Sequence, residues 1–544
     1  MRVFVGLLLL LGLSFSQAPA EYKLLKQFRE GGDVKVGLFL LENYPEAVFR
    51  DELRIEVADL LLKEGDEERA RFVLIGVNLD NVRDRYSKTV ARLWKTLGLE
   101  SKPLVLRFPE EAVELIQSVS LEEDEKERVY RRLLRKKLYR ELLEVSDGCL
   151  YRGIALFRLK EYERSGDELF SCEGDRAGVY ALFSYIKLGK YDRVEELLSS
   201  RDSERLYYKY AWHLLSKGDY EGARKFFLKS GYSFEPLFYV GLMDYIKGRY
   251  MLAYENFSEA ERIAAGNINR ARTNFWKAKA LIRAGVKDLP VHYIKKAAGQ
   301  MGLYSVVSLK MLGKPVYEEV RFKLAEEPSP FGRRLMGILE LGFVHYARLE
   351  AFDKLGELQP QDIFALLKVD PYLAIKLAVR AYGANSDVYR SVAYPTPFSA
   401  FVERASERFR VDRALIYAVM RQESLFDVEA LSTSDAKGLM QLIDSTAKWT
   451  GKRVGIDHRD VYDVETNINL GTAYLRFLMD FWKGDLLRVI ASYNAGQGAV
   501  KRWKRFEDDF LFIETIPYDE TRKYVRRVLW FYYVYSEKLS YKAF

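Results

Sequence analysis

The chain has 544 residues, 49% apolar and 30% charged, which excludes a disordered chain and an integral membrane protein and is too long for one hydrophobic core. Its formal net charge is +8, from 86 basic and 78 acidic side chains, a mild excess over this length. No block of about five or more like charges occurs, so nucleic acid is not expected as a partner, while an acidic polymer or an anionic surface is compatible.

The first stretch, MRVFVGLLLLLGLSFSQAPA, places Arg2 before an apolar run from Val3 to Leu13. Ser16-Gln17-Ala18 and Ala18-Pro19-Ala20 both fit small-x-small cleavage sites. The run is about a dozen residues, short of the ~20 that span a bilayer. A cleaved secretory signal over residues 1–20 is therefore expected, with a retained anchor as the alternative. Export would put the two cysteines, Cys149 and Cys172, in an oxidising compartment. Cys149 opens one predicted helix and Cys172 closes the next, antiparallel one, so a disulfide and a pair of buried thiols are both open.

From about Glu21 to Tyr382 apolar residues recur three and four apart, the period of packed helices. Four segments repeat: LFRLKEY ends at Tyr162, YIKLGKY at Tyr191, LLSKGDY at Tyr220 and YIKGRY at Tyr250, spaced 29, 29 and 30 residues apart. A small residue or Val follows at the third place (Ser165, Val194, Ala223, Ala253). A large apolar one follows at the seventh (Leu169, Leu198, Phe227, Phe257). Gly189, Gly218 and Gly248 supply the turn between paired helices. Such hairpins must stack to bury their faces, which predicts an α-α superhelical solenoid of tetratricopeptide-like hairpins. An irregular helical domain is the alternative.

Tyr394-Pro395-Thr396-Pro397-Phe398 breaks the helical pattern. The expected organisation is residues 21–145 as an N-terminal helical domain, 146–394 as the superhelix and 395–544 as a C-terminal module. In that module, VDRALIYAVMRQES reads as a helix with Leu415, Val419 and Glu423 on one stripe. Residues 431–441 read as a tight turn or hairpin. A short helix capped by Asp444 or Ser445 is expected to end at Gly451, and a longer one to run from Tyr462-Asp463 to Trp482. Asp485 caps a helix ending at Gly496, residues 497–504 form a short helix, and Pro517 precedes the last one. A carboxylate on an apolar face, near a helix C-terminus, has its pKa raised by desolvation and by the helix dipole. A general acid needs that property. The alternative is a solvated Glu in a fraying last turn.

Four blocks of this module, in order, resemble the soluble lytic transglycosylase catalytic domain. They are Glu423-Ser424; Ser432 through Gly438-Leu439-Met440-Gln441; Ser492-Tyr493-Asn494-Ala495-Gly496; and Glu514-Thr515-Ile516-Pro517 through Glu520, Arg522 and Tyr524. The resemblance implies a lysozyme-like α fold with a small β-turn segment, carried by a helical superhelix. It implies cleavage of the β-1,4 bond between N-acetylmuramic acid and N-acetylglucosamine without water. Glu423 would act as general acid and then base. Ser432, Met440, Gln441, Tyr493, Asn494, Glu520 and Tyr524 would bind substrate or shape the cleft, with core packing as the alternative for Met440 and Tyr493. Glu514 is expected to be structural. Ser424 is a candidate accessory residue.

Asp435 stands where the family usually has Gly. It can be a surface turn residue, or a second carboxylate assisting a lysozyme-like hydrolysis by water. A non-catalytic glycan- or protein-binding scaffold is the remaining alternative. His213, His292, His345 and His458 are scattered, so no metal is expected, and glycosidic cleavage needs no cofactor. The expected partners are peptidoglycan glycan strands, with other cell-wall enzymes as candidates, for a monomer in the periplasm, peripheral to the cell envelope.

Overall fold

The computed structural model describes residues 18–320 and 327–541. The expected signal segment therefore lies almost wholly outside the described residues. The described chain is helical almost throughout, and two isolated antiparallel bridges, Leu431 to Lys437 and Lys437 to Leu442, are its β structure. This is the expected mainly α class with a small β-turn segment.

Two compact units divide the chain. One joins the described residues of Met1–Cys172 with those of Arg321–Ala393, and the other joins Glu173–Val320 with Tyr394–Phe544. The stretch read from sequence as one superhelix, 146–394, is thus shared between the units. The cause is long-range packing that a local period does not reveal. Leu335, Leu339, Ile363, Leu373 and Leu377 enter the same core as Leu25, Leu53, Leu61 and Leu93. Within that unit the Tyr346 hydroxyl donates to Glu52 Oε2 at 2.6 Å, and Arg83 donates to both Glu52 oxygens at 2.7 and 2.6 Å. The same unit joins Cys149 and Cys172 as a disulfide, with Cα atoms 5.8 Å apart.

The hairpins form as the repeat dictates. Ser165, Val194, Ala223 and Ala253 are all fully buried, and so are Leu169, Phe227 and Phe257. Gly189, Gly218 and Gly248 take positive φ at the turns, where a Cβ would be strained. In the Tyr162 copy Lys160 accepts that conformation instead, at φ 68°.

The C-terminal module contains α1 (Ser399–Phe409), α2 (Arg413–Glu423), α3 (Asp444–Val454), α4 (Val464–Phe481), α5 (Leu486–Ala495), α6 (Gln497–Val500), α7 (Asp509–Thr515) and α8 (Asp519–Tyr541). Helix α3 departs from the sequence reading. Ile443 is its N-cap, without a side-chain cap bond, and Gly455 in the left-handed region ends it. Gly451 lies inside the helix because a Cβ there would meet the Ile456 carbonyl oxygen at 2.6 Å, so its smallness serves packing. The short helix after Gly496 also stops early, at Val500.

Helix α2 starts where the Asp412 side chain accepts from Ala414 N–H at 2.8 Å. It is buried on all sides from Ala414 to Arg421, and α8 packs along it. Arg421 is buried too, its guanidinium lying 4.6 Å from the Tyr394 ring and 4.8 Å from Phe531.

Within the second unit a buried ion cluster holds α7 to the solenoid helices. Arg272, on the helix Gly266–Arg283, donates to Glu514 at 2.9 and 2.6 Å, and Tyr304 also donates to Glu514. The Phe275 and Phe510 rings meet beside it at 4.7 Å. Burial works to raise the Glu514 pKa, but the Arg272 and Arg526 charges and the donated hydrogen bonds overcome it and hold it at about 2. Leaving one partner of such a pair bare costs about 3–5 kcal/mol, so Glu514→Gln is expected to lower the unfolding free energy by that amount at neutral pH. A depressed carboxyl pKa stabilises the fold above its unfolded value of 4.5, and that contribution drains away as pH falls toward about 2. Denaturant titrations of parent and variant, at neutral pH and near pH 3, check both statements: the gap narrows at the lower pH.

Candidate active site

Glu423 is the last residue of α2. The stripe below it, Leu415 and Val419, is 1% and 0% exposed, so the helix delivers the carboxylate to the edge of the core. The residue itself stays partly open to solvent, as a group must be that meets a substrate oxygen. Its Oε1 accepts one hydrogen bond, from the Tyr524 hydroxyl, at 2.7 Å. Desolvation dominates: it pushes the Glu423 pKa from 4.5 up to about 8, opposed by the Tyr524 hydrogen bond and assisted by the Glu520 charge. A carboxyl of this kind carries its proton at neutral pH.

Tyr524 and Glu520 lie one turn apart on α8, Tyr524 buried and Glu520 exposed. The Tyr493 hydroxyl donates to the Met440 carbonyl at 3.0 Å. Burial, then the Glu423 charge, push the pKa of both Tyr493 and Tyr524 well above the usual tyrosine range, so both remain neutral donors. Asn494 Oδ1 accepts from Thr521 Oγ1 at 2.6 Å and ties α5 to the start of α8.

Ser424 Oγ lies 2.8 Å from the Leu439 carbonyl and accepts from Phe426 N–H at 3.0 Å. It thereby fastens the end of α2 to the Gly-Leu-Met-Gln turn. The chain leaves α2 through Leu425 and Phe426, both at positive φ, and Gln441 is at φ 50°. Three non-glycine residues in that region mark backbone held by its surroundings. The Gln441 side-chain nitrogen donates to Ala430 and Gly438 carbonyls at 3.0 and 2.9 Å. Ser432 Oγ accepts from Ser434 and Ala436 N–H at 3.1 and 3.0 Å. Both side chains therefore shape the turn, and both stay partly exposed.

For Met440 and Asp435 the structure favours the packing and turn alternatives. Met440 is 0% exposed, so its side chain is core and presents nothing to a sugar face. It fills the space at Gly471 on α4, where an added Cβ would meet its sulfur at 2.3 Å. Asp435 takes φ 66° with its side chain 65% exposed and 3.5 Å from Lys437 Nζ, the arrangement of a turn residue. The charges acting on Glu423 are those of the α8 groups, and Asp435 is not among them.

Sequence reasoning missed Asn467. This buried amide accepts from Met440 N–H at 2.8 Å and donates to the Lys437 and Val461 carbonyls at 3.1 and 2.7 Å, clamping the turn onto α4. It also missed a row of rings beside Tyr493: Tyr474 at 5.5 Å, then Phe477, then Trp449 at 4.7 Å from Phe477. The spacing of Tyr474 and Phe477 along one helix is a signal, but it is shared with ordinary core stripes. Among the described residues no group of three or more His, Cys, Asp or Glu could hold a metal ion.

Residues 400–515 match the family model described as the Transglycosylase SLT domain. The C-terminal module is therefore similar to transglycosylase SLT domains. It is 26% identical over 274 residues to the soluble lytic murein transglycosylase of Escherichia coli K12, covering 47% of this chain and 42% of that one. A membrane-bound lytic murein transglycosylase C from Edwardsiella ictaluri is 43% identical over 116 residues, 19% of this chain and 32% of that one. The chain spans about half the length of the curated relatives it matches. The fold is similar to the lytic transglycosylase Slt of Pseudomonas aeruginosa, solved as an inactive mutant. The TM-score is 0.59 at 19% identity, over 93% of this chain and 89% of that one.

A raised carboxyl pKa favours the fold fully below pH 4.5, and that contribution is lost as pH rises through about 8. Glu423→Gln cannot ionise, so it is expected to gain on the parent by on the order of 2–4 kcal/mol between about pH 5 and pH 9, read by unfolding at the two pH values. Carbon NMR of the Glu423 carboxyl should show its pKa rising in Tyr524→Phe, which removes the donor, and falling in Glu520→Gln, which removes the neighbouring charge.

Proposed function

We propose that the chain is an exported lytic transglycosylase that cuts the β-1,4 bond between N-acetylmuramic acid and N-acetylglucosamine in peptidoglycan, leaving 1,6-anhydro ends. The observation that carries the reading is one shielded carboxyl, Glu423, protonated at neutral pH and held by a single tyrosine donor. In the first step Glu423 gives its proton to the glycosidic oxygen as the C1–O bond breaks. As carboxylate, steadied by Tyr524, it takes the proton of the muramic C6 hydroxyl, whose oxygen closes on C1. The nucleophile is tethered to the electrophile, and the high effective molarity of that arrangement replaces an activated water. One carboxyl then serves both steps.

The glycan is expected to lie along the turn of Ser432 and Gln441, with Tyr493 and Asn494 on the opposite side and Glu520 at the rim. The exposed, Lys437-paired position of Asp435 supports this reading over a two-carboxylate hydrolysis. Peptidoglycan as substrate puts the work in the periplasm, which agrees with the expected signal segment.

Glu423→Gln is expected to reduce release of fragments from purified sacculi by about 10²–10⁴-fold. Mass spectrometry of the parent's products should find them one water lighter than hydrolytic products and without a reducing end. Products with reducing ends would establish hydrolysis, and lysis by Glu423→Gln at the parent rate would remove the catalytic assignment. Because the acid must be protonated, the parent rate should fall as pH rises through about 8.

A further inference from the structure

The first unit carries an apolar tip that its own core does not cover. It is built by the helix Glu67–Leu74 and the turn that follows. Val73 and Leu74 are buried in the core of the unit and anchor the end of this helix. Phe72 and Ile75, three residues apart, share the opposite face. They are 75% and 67% exposed, more than any other large apolar side chain among the described residues. The Ile75 N–H donates to the Phe72 carbonyl at 3.1 Å, which holds the two together at the helix end. The chain beyond is fastened down, because Asp51 accepts from Asn78 N–H at 3.1 Å and from Asn81 Nδ2 at 2.7 Å. The tip is therefore a fixed feature of the fold.

Arginines surround it. Arg71 stands one turn before Ile75. Arg54, on the helix Arg50–Lys63, lies beside the turn: its Nη1 is 3.6 Å from the place a Cβ would take at Gly76. Arg50 is one turn before Arg54 on the same face, and its buried Nε has no hydrogen-bond partner. Among the described residues Arg50, Arg54 and Arg71 make no ion pair. Burial, then the Arg50 charge, lowers the Arg54 pKa, with the Asp51 charge opposing. The nearby acids are engaged or distant. Asp51 is held by the two asparagines, and Asp66 caps the helix start and pairs with Arg69 at 3.4 Å. Glu67 and Glu68 sit in the first turn, at the other end of the helix from Ile75.

Uncompensated cations around protruding apolar side chains match one kind of surface. A bilayer with anionic headgroups offers phosphates at the level of the guanidinium groups and acyl chains just beneath them. A tip of two side chains enters a fluid boundary that opens around it, whereas a protein partner would need a matching pocket. We propose that this tip docks the protein on an anionic phospholipid surface, with Phe72 and Ile75 in the headgroup–acyl boundary and Arg50, Arg54 and Arg71 on the phosphates. The contact is peripheral and weakens with salt. It does not rest on the transglycosylase reading.

The test uses the exported chain, residues 21–544, so that the apolar leader contributes nothing. Sedimentation is followed with vesicles of phosphatidylcholine alone and of phosphatidylcholine with about one-third phosphatidylglycerol. The parent is expected to bind the mixed vesicles, and more weakly the neutral ones. The double variant Phe72→Ser, Ile75→Ser should lower partitioning into mixed vesicles about tenfold. Arg54→Gln and Arg71→Gln should each lower it about fivefold, with no change on neutral vesicles, and Arg71→Lys should bind as the parent does. Thermal unfolding and release of fragments from sacculi in solution should be the same in every variant. Absence of parent binding to mixed vesicles, or parent-level binding by the double variant, overturns the proposal. A parent that dimerises in ultracentrifugation but binds no vesicles, beside a monomeric double variant, assigns the tip to a second copy and overturns it too. So does a loss of sacculus lysis in the double variant that matches its loss of vesicle binding, which would make the tip a glycan contact. A parent that binds mixed vesicles through the tip but releases nothing from sacculi supports the docking site and overturns the transglycosylase reading alone.

Discussion

A single hydrogen bond between Tyr524 and Glu423, made where water is scarce, sets the character of the whole site. Burial alone would keep a carboxyl protonated and make it a poor base. The tyrosine donor offsets part of that penalty by stabilising the anion, and the Glu520 charge one turn away pushes back. The balance leaves a group that can give up its proton near neutrality and still recover one. The elements around it have separate parts: α2 supplies the dry approach, α8 the donor, and Asn467 clamps the neighbouring turn onto α4.

Strain is concentrated beside that group. Leu425, Phe426 and Gln441 occupy left-handed backbone within two short stretches, and Ser424, Tyr493 and Asn467 bond to the backbone of the same turn. Conformations that cost on the order of 1–3 kcal/mol each persist where the surroundings over-determine them. The result is a rigid rim, which suits the proposed reaction, whose nucleophile needs only small displacement to reach its electrophile.

The hairpins were legible in the sequence because their geometry is local. A turn glycine, a small residue three places after the tyrosine and a large one at the seventh place repeat at nearly constant spacing, and all of them behave as that pattern requires. The position of Glu423 was legible for the same reason, from the spacing of Leu415 and Val419. What stayed hidden depends on contacts between distant segments. The return of residues near Leu335 and Leu373 to the N-terminal core has no local signature. Neither does the fit of Met440 into the space left by Gly471, since a methionine beside a catalytic turn reads equally well as a sugar contact. Gly451 gave a false stop because a glycine within a helix and a glycine ending one differ only in what lies opposite, here the Ile456 carbonyl.

The Arg272–Glu514 pair bears on whether the C-terminal module is self-sufficient. Cut away from the hairpins at the Tyr394–Phe398 linker, it would carry a naked anion and the uncovered ring of Phe510 on what had been an interior surface. The solenoid is therefore part of the C-terminal module's core as well as its scaffold, and engineering that trades one solenoid for another must carry this cationic socket along with it.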